Sequence, residues 1–436
     1  MGIHVYNTLT RKEEPLELIS PGKVSIYVCG PTVYDDPHLG HARPAVVFDV
    51  ITRYLKAQGH AVTYVRNLTD IDDKIIEKAR QQNRDFKTLG GHYANRYHEA
   101  MRRLNVAAPD AEPKATDHIL HMRDFISKLI QRDHAYQSRG NVYFAVESFK
   151  NYGRLSRRTV PSISSNFSVE QGKRHPADFA LWKEAKPEEP SWASPWGSGR
   201  PGWHIECSAM SSRLLGENYD IHGGGADLVF PHHENEIAQS ESLFGKTPAN
   251  YWMHNGLVYI AGEKMSKSLG NALNLHGLLE IHRPEALRLF LLTKHYRHPM
   301  EVTHPALHEA SARLSKLYRF LFRSAWSDAE SGELGINRGA LWTRFCNAMG
   351  KDFNFPMALS VLFEGIRQVN LVSGNSRDAV GADPACRAIS LVSDIFFICR
   401  DVLGIAPEPS MDAWPYETET KLSDGKLQTA TFRRAS

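Results

Sequence analysis

The apolar positions of the N-terminal part follow a strand, helix, strand order. Residues 24–29 (VSIYVC) form an apolar run of strand length, which Gly30 and Pro31 end. Residues 42–57 then carry apolar side chains at helical spacing, and residues 61–70 again show a strand pattern. Such a unit predicts parallel strands with a right-handed crossover, and ligands bind beyond the carboxyl ends of strands in sheets of this kind.

The same alternation continues after an interruption. Helical patterns cover residues 70–83, 91–104, 117–133, about 205–216 and about 231–244, and strand patterns cover 218–222 and 251–260. Residues 134–200 contain short strand-like pieces and many turn residues, which is typical of an insertion. The predicted fold class is therefore α/β: a Rossmann-like parallel sheet split by an insertion, and then an all-helical C-terminal domain.

The C-terminal domain is predicted from amphipathic helical patterns at residues 284–295, 306–325, 340–349, 357–372 and 386–403. No sustained periodicity follows Ala406, so we expect an irregular tail there. The expected domain boundaries are 1–110 and 201–260 for the two halves of the catalytic domain, 111–200 for the insertion, 261–304 for the lysine-rich loop and a stem-contact region, 305–405 for the helical bundle, and 406–436 for the tail.

Composition narrows the class of protein. The chain has 436 residues, 42% of them apolar, which is enough for two or more domains with sizeable cores. Five cysteines, an odd and low number, argue against a disulfide framework and for a reducing compartment. No signal core or membrane-length apolar run is found, so we expect a cytoplasmic protein without a membrane partner. The net charge of +3 permits a nucleic-acid partner without requiring one.

The stretch DIHGGGADLVFPHHENEIAQSE (220–241) is the first candidate for chemistry. His232 and Glu236 are four residues apart and share one face if a helix opens at Pro231. With Cys29 and Cys207 they offer sulfur, sulfur, nitrogen and oxygen ligands, a plausible set for tetrahedral zinc. The alternative is that both cysteines are small buried hydrophobic residues. The order of the residues lacks HExxH, which excludes that type of metalloprotease.

Two further segments carry charge-handling groups. His38-Leu39-Gly40-His41 precedes a predicted helix, where exposed N–H groups and imidazoles form an anion site; surface histidines in a turn are the alternative. Lys264 and Lys267 lie in a glycine-flanked loop that could close over a polyphosphate, although such lysines are often only solvated surface.

Together these segments resemble a known family. Class I aminoacyl-tRNA synthetases typically have an HLGH-like segment near the N-terminus, a KMSKS segment further along the chain and a split parallel sheet between the two. This sequence has HLGH at residues 38–41 and KMSKS at residues 264–268. CGPTVYDDPHLGH, YVRNLTDIDDKI, RPGWHIECSAM, DIHGGGADLVFPHHENEIAQSE, YWMHNG and EKMSKSLGN resemble the cysteinyl-tRNA synthetase family over about residues 3–404.

The resemblance implies an enzyme that activates L-cysteine with Mg²⁺ and ATP and transfers it to the 3′ end of tRNA(Cys). It implies one Zn²⁺ per chain, which binds the substrate thiolate and is held by Cys29, Cys207, His232 and Glu236. It implies catalytic and ATP-binding roles for His38, His41, Lys264 and Lys267. It implies close backbone approach to ATP at Gly223, Gly224 and Gly225. It implies a substrate pocket formed by Thr69, Trp203, His222 and Asp227, although for Trp203 and His222 a packing role is the alternative.

Selection by zinc would make a proofreading site unnecessary, because a pocket of fitting shape rejects serine poorly. The insertion is accordingly too short for a large editing domain. Basic residues of the insertion are either acceptor-stem contacts or a solvated face; they are Lys150, Arg154, Arg157, Arg158, Lys173 and Arg174. We expect a monomer.

Residues 406–436 lack the pattern of the family's anticodon-reading domain, which is therefore expected to be missing. This departure leaves two alternatives open. One is a cysteine:amino-sugar ligase of the mycothiol type that uses the same adenylation site, although the HHENEIAQSE stretch argues against it. The other is a non-catalytic zinc-binding paralogue, against which the presence of both HLGH and KMSKS argues.

Overall fold

The computed structural model describes residues 2–164, 172–265, 273–323, 339–374, 382–405, 418–423 and 426–431. The strands are β1 (His4–Asn7), β2 (Lys12–Pro15), β3 (Lys23–Val28), β4 (Ala61–Arg66), β5 (Ala135–Ser138), β6 (Asn141–Phe144), β7 (Phe179–Glu184), β8 (Gly199–Pro201), β9 (Tyr219–Gly225), β10 (Ala249–Asn255), β11 (Val258–Ile260), β12 (Glu263–Lys264), β13 (Met300–Glu301), β14 (Thr418–Ser423) and β15 (Lys426–Thr431). The helices are α1 (Leu39–Ala57), α2 (Asp73–Gln81), α3 (Phe86–Arg103), α4 (Ile119–Gln131), α5 (Val160–Ser164), α6 (Trp203–Leu215), α7 (Glu234–Phe244), α8 (Leu275–Ile281), α9 (Pro284–Leu292), α10 (His304–Arg323), α11 (Ala340–Met349), α12 (Phe355–Gly374) and α13 (Ala382–Phe397).

A parallel four-stranded sheet forms the centre of the catalytic domain. Its strand order is β10-β9-β3-β4, and every neighbouring pair is parallel. The first half of the sheet comes from β3 and β4 and the second from β9 and β10, so the chain returns to the same sheet after the insertion. The predicted split parallel sheet is confirmed.

Helix α1 crosses the face of this sheet and begins earlier than its apolar pattern predicts. The predicted start was residue 42, whereas the helix starts at Leu39 with His38 in extended conformation before it. The N–H of His38 donates to Nδ1 of His41, so the histidines themselves close the first turn. From Ala42 to Leu55 most side chains are buried, which makes α1 a central core helix.

The insertion forms a layer of its own. Strands β5, β6, β7 and β8 make an antiparallel sheet in sequence order, which α4 accompanies. Its buried residues include Phe144, Leu181 and Trp182, in a cluster that also reaches α6 and α7. The prediction of short strand-like pieces was correct, but their union into one sheet was not visible in the sequence.

The predicted strand 251–260 is wrong as a single element. It divides at Gly256 into β10 of the central sheet and β11 of a small sheet with the order β12-β11-β13. A Cβ atom on Gly256 would lie 2.3 Å from the carbonyl oxygen of His298, so a close backbone approach requires glycine at this break.

The helical C-terminal domain is confirmed by α10 to α13, which match the predicted patterns within a few residues. Helix α8 and the hairpin of β1 and β2 were not predicted. The tail differs from the expectation, because β14 and β15 pair as an antiparallel hairpin. Threonines alternate with other residues in parts of both strands. Residues 406–417, 424–425 and 432–436 of the predicted irregular tail lie outside the described residues.

No helix in the described ranges combines the length and the apolar character that crossing a bilayer requires.

A buried ion pair joins α1 to α9 next to the helical domain. Arg288 on α9 and Asp49 on α1 are 0% and 2% exposed, and the Nη2 of Arg288 contacts the Asp49 carboxylate. The guanidinium also donates to the carbonyl oxygens of Leu403 at 2.6 Å and Leu104 at 3.1 Å. One cation therefore connects α1, α9 and the end of the helical domain.

We expect Asp49→Asn to lower the free energy of unfolding by about 3–5 kcal/mol, because Arg288 would remain buried without its countercharge. Urea unfolding followed by circular dichroism measures the loss. The matched control is Asp124→Asn, whose exposed partner Lys128 lies 2.7 Å away; it should change the free energy by at most about 0.5 kcal/mol. Equal effects of the two variants would contradict the assigned role.

Candidate active site

Three predicted site residues lie at or near the carboxyl ends of three central strands. Cys29 follows β3 directly, and its N–H donates to the carbonyl oxygen of Gly223 on β9 at 3.0 Å. His222 on β9 is paired in register with Tyr27 on β3. Thr69 follows β4 by three residues. The topology therefore explains why residues more than 170 positions apart in the chain share one site.

Four of these residues bring their ligand atoms together. The Sγ atoms of Cys29 and Cys207 are 3.5 Å apart, and the Sγ of Cys29 is also 3.5 Å from Oε1 of Glu236. The Nε2 of His232 lies 3.1 Å from the same carboxylate oxygen. All four ligand atoms lie within 4.8 Å of one another. The sulfur separation is far above the roughly 2.05 Å of a disulfide, so the cysteines are thiols.

These separations fit a tetrahedral metal ion. Zinc–ligand bonds of about 2.0–2.3 Å place tetrahedral ligand atoms roughly 3.3–3.8 Å apart. The observed 3.1 to 3.5 Å between neighbouring donors is close to that range. In addition, the contact between Nε2 of His232 and Glu236 lacks hydrogen-bond geometry, so this buried nitrogen has no hydrogen-bond partner in the described structure. The donors thus point at one small volume rather than at separate partners.

Burial sets the protonation of the group. Desolvation, and after it the neighbouring Cys207, raises the pKa of the Cys29 thiol well above its usual value. Desolvation likewise raises the pKa of the Glu236 carboxyl. Two thiols and a carboxyl that are shielded from water therefore stay protonated on their own. A divalent cation is the kind of group that would deprotonate them and offset the burial.

A second set of four donors shares two of these ligands. Cys29 and Glu236 also lie close to His222 and His233, with 3.5 Å between the Cys29 Sγ and the His222 Nε2. The sequence resemblance favours the set with Cys207 and His232. In both sets the ring nitrogen that faces away from the cluster has a partner: Tyr219 contacts Nδ1 of His222 at 2.7 Å, and His204 contacts Nδ1 of His232 at 2.9 Å.

Three histidines beneath the cluster were missed by the sequence analysis. His204 Nδ1 lies 2.9 Å from His232 Nδ1, and His233 Nδ1 lies 2.7 Å from His254 Nε2. Burial lowers the pKa of His204 and of His254 to about 3, so both are neutral imidazoles. Their nearness to the motifs WHIEC, PHH and WMHNG was the available signal, but only the fold brings these motifs into contact.

Indole rings cover the imidazoles on two sides. Trp203 stacks on His232 with ring centroids 4.1 Å apart, and His222 stacks on Trp252 at 4.4 Å. The predicted substrate residues Trp203 and His222 therefore both border the cluster. Their packing role is established, and their substrate contact remains a prediction.

Thr69 is also placed at the cluster's edge. Its hydroxyl donates to Oε2 of the buried Glu206 at 3.1 Å, and Asn67 donates to the same hydroxyl at 3.3 Å. Desolvation, and less strongly Asp72, raises the pKa of Glu206 well above its usual value. Thr69 is thus oriented by two partners, while its predicted contact with substrate is untested.

The HLGH histidines lie at the N-terminus of α1. Their rings stack with centroids 3.8 Å apart, and Nδ1 of His41 accepts the N–H of His38 at 3.2 Å. A Cβ atom on Gly40 would lie 2.8 Å from the His38 ring, which explains the glycine. The predicted placement of both imidazoles at a helix N-terminus is confirmed.

Lys264 and Asp227 form an ion pair across the site. The Lys264 Nζ is 3.0 Å from Oδ2 of Asp227, and both side chains are partly exposed. Lys264 lies on β12, and Asp227 follows the glycine-rich end of β9. The other predicted lysine, Lys267, lies outside the described residues.

The three glycines of β9 have a packing reason in addition to the predicted nucleotide approach. A Cβ atom on Gly223 would lie 2.2 Å from the Phe48 ring of α1, and one on Gly224 would lie 2.8 Å from the His233 ring. A Cβ atom on Gly225 would meet Oδ1 of Asp227 at 2.5 Å. Their approach to ATP remains a prediction.

Comparison with protein families assigns the chain. Residues 15–312 match the model of the tRNA synthetases class I (C) catalytic domain, and residues 344–405 match the DALR domain. The chain belongs to the class I (C) tRNA synthetases. This agrees with the predicted split sheet, the helical C-terminal domain and the joint presence of the HLGH and KMSKS segments.

Curated relatives that match most of this chain are named cysteine–tRNA ligase. The cysteine–tRNA ligase of Pelobacter propionicus is 49% identical over 425 residues, which cover 93% of this chain and 85% of the relative. The cysteine–tRNA ligase of Syntrophotalea carbinolica is 51% identical over 375 residues, covering 85% and 78%. A methionyl-tRNA synthetase from Mycobacterium tuberculosis shares the fold, with a TM-score of 0.61 at 15% identity over 88% of this chain and 90% of its own.

We expect Gly223→Ala to destabilise the synthetase by about 1–3 kcal/mol, because the new methyl group would overlap the buried Phe48 ring. Gly91→Ala on α3 is the matched control: its Cβ would meet nothing within 4 Å, so it should stabilise by up to about 1 kcal/mol. Thermal unfolding of both variants measures the difference. Adding Phe48→Leu to Gly223→Ala should reduce the loss of stability. An unchanged loss in the double variant would contradict the packing role of Gly223.

Proposed function

We propose that this chain is a cysteine–tRNA ligase that activates L-cysteine with ATP and transfers the cysteinyl group to the 3′ end of tRNA(Cys). The observation that supports it most is the convergence of Cys29, Cys207, His232 and Glu236 beside the HLGH helix in a class I (C) synthetase. A shape-based pocket separates cysteine from serine poorly, whereas a thiophilic site separates them by coordination chemistry.

The donor set supports zinc as the resident metal. Two thiolates, one imidazole and one carboxylate suit a borderline-soft ion better than the hard cations Mg²⁺ or Ca²⁺, which prefer oxygen ligands. When bound, zinc would supply a thiolate-selective Lewis acid for the amino-acid side chain. The chain's own part is to hold the ligands in place: Asn67 lies 3.8 Å from the Cys207 thiol, and Trp203 stacks on His232.

His41 is suited to bind a phosphate as a hydrogen-bond donor. Because its Nδ1 accepts the backbone N–H of His38, its neutral form carries the proton on Nε2. The N-terminus of the 19-residue helix α1 adds the favourable end of its dipole. His38 and His41 would therefore hold the phosphates of Mg²⁺-ATP while the cysteine carboxylate attacks the α-phosphorus in line.

Lys264 would act on the leaving pyrophosphate. Its ammonium is held by Asp227, which follows the carboxyl end of β9, and the histidines follow the carboxyl end of the parallel strand β3. Lys267 belongs to this group by the resemblance. Negative charge grows on pyrophosphate as the bond to the α-phosphorus breaks, so lysines placed there lower the barrier electrostatically. A ribose hydroxyl of the terminal adenosine then takes the acyl group from the adenylate.

Neither alternative gains support. Eight curated relatives, each of which matches 84% or more of this chain, are named cysteine–tRNA ligase. Of the basic residues proposed for the acceptor stem, Arg154 is paired with Glu241 and Arg158 packs over the Phe230 ring at 4.4 Å.

A cytoplasmic location and a monomeric state remain predictions.

We expect Cys207→Ala to abolish cysteine-dependent ATP–pyrophosphate exchange and to lower bound zinc from one per chain, because a tetrahedral site loses one ligand. Metal analysis and exchange assays on the purified protein measure both quantities. The control is Cys399→Ala: Cys399 is equally buried but lies in the helical domain, so both quantities should stay at the wild-type level. Exchange at the wild-type rate in Cys207→Ala would overturn the zinc assignment.

We expect the wild-type protein to charge a tRNA(Cys) transcript with cysteine and not to ligate cysteine to an amino-sugar. Acid-gel separation of charged transcript and chromatography of the amine reaction provide the two readouts. Ligation of the amine without charging would favour the mycothiol-type alternative. Absence of cysteine-dependent exchange in the zinc-loaded wild type would instead favour a non-catalytic paralogue.

A further inference from the structure

Arg43 is a fully buried guanidinium on α1 that no step of the proposed function uses. Its exposed fraction is 0%, and no carboxylate in the described ranges pairs with it. Burial lowers its pKa to about 10, so it stays protonated at neutral pH. An unpaired buried cation is costly unless dipoles replace water around it.

Backbone carbonyl groups from two separate segments surround this guanidinium. Its Nη1 donates to the carbonyl oxygens of Gly256 at 2.8 Å and Leu257 at 3.0 Å. Its Nη2 donates to those of His295 at 3.4 Å and Tyr296 at 3.3 Å and also contacts that of His298. A planar fork can reach both segments at once, whereas a lysine ammonium is a single point.

Both segments lead directly into the small sheet that carries Lys264. Gly256 and Leu257 precede β11, on which Tyr259 pairs with Lys264 of β12. Residues 295–298 precede β13, whose Met300 N–H donates to the carbonyl oxygen of Leu257 at 2.9 Å. If Arg43 lost these contacts, the residues that precede β11 and β13 would move. The paired strands β11 and β12, which carry Lys264, would move with them.

The same first turns of α1 present the histidines. His41 precedes Arg43 by two residues, so the two side chains leave the helix on different faces. The segment after the KMSKS residues is attached there as well, because the N–H of Leu275 donates to the carbonyl oxygen of Pro37 at 2.9 Å. One helical segment thus holds the phosphate-binding histidines and the elements on both sides of the lysines.

We propose that Arg43 is a positioning residue that fixes Lys264 relative to His38 and His41 for the first chemical step, adenylate formation. This inference rests on the proposed function. The lysines act on pyrophosphate, which has left before the acyl group moves to tRNA. A misplaced Lys264 should therefore slow adenylate formation and leave the rate of transfer to tRNA unchanged. General destabilisation of the protein would not produce this difference between the two steps.

The test compares Arg43→Lys with wild type in the zinc-loaded full chain. We expect kcat for cysteine-dependent ATP–pyrophosphate exchange to fall about 10- to 100-fold, since displacements near 1 Å cost up to that much. The KM for cysteine, the bound zinc and the single-turnover transfer from preformed cysteinyl-adenylate to a tRNA(Cys) transcript should stay within twofold. Equal slowing of both steps, or unchanged exchange, would overturn the proposal.

The matched control is Arg288→Lys. Arg288 is equally buried and also donates to backbone carbonyl groups, but these belong to the helical-domain junction. It should lower the unfolding temperature without separating the two steps; a separation of the same size would contradict a specific role for Arg43.

A second variant reaches the same junction if Arg43→Lys does not fold. Gly256→Ala would force the backbone at His298 away, because the new Cβ would lie 2.3 Å from the carbonyl oxygen of His298. It should therefore also slow adenylate formation and leave the rate of transfer to tRNA unchanged. Equal slowing of both steps by Gly256→Ala would count against the proposal. Failure of wild-type exchange would instead refute the proposed function, so the two failures are distinguishable.

Discussion

Two buried guanidinium groups need polar partners in place of water, and their partners connect α1 to the neighbouring parts of the molecule. Arg43 near the start of the helix is surrounded by carbonyl groups from the small sheet, and Arg288 contacts Asp49 in its middle. Each cation forces several chain segments to converge, because no single segment offers enough acceptors. The catalytic sheet, the Lys264 strands and the helical domain are consequently arranged about one helix.

The cluster at the strand ends depends on this arrangement. Cys29 comes from the first half of the sheet, and Cys207, His232 and Glu236 come from the segment after the insertion. Close packing of β9 on α1, which Gly223 permits, brings the halves to the required distance. Trp203 stacks on His232, Trp252 stacks on His222, and His204 contacts His232, so these imidazoles are held with little freedom, as a selective metal site requires.

The proposed metal site would explain how this synthetase selects its amino acid. Coordination by a thiophilic ion distinguishes a thiol from a hydroxyl in one step, and a site of that kind needs no second hydrolytic site. The insertion has its own antiparallel sheet and a core that continues into α6 and α7. It therefore also supports the helices that carry Cys207 and Glu236.

Periodicity and motifs determined the order of the elements, the split sheet, the helical domain and the candidate ligands, because each of these is written in local spacing. They did not reveal the break at Gly256, the imidazole layer of His204, His233 and His254, or the part played by Arg43. Those features exist only where distant segments touch. A glycine break or a buried cation has no local pattern, because its cause is the backbone of a segment 42 to 255 residues away.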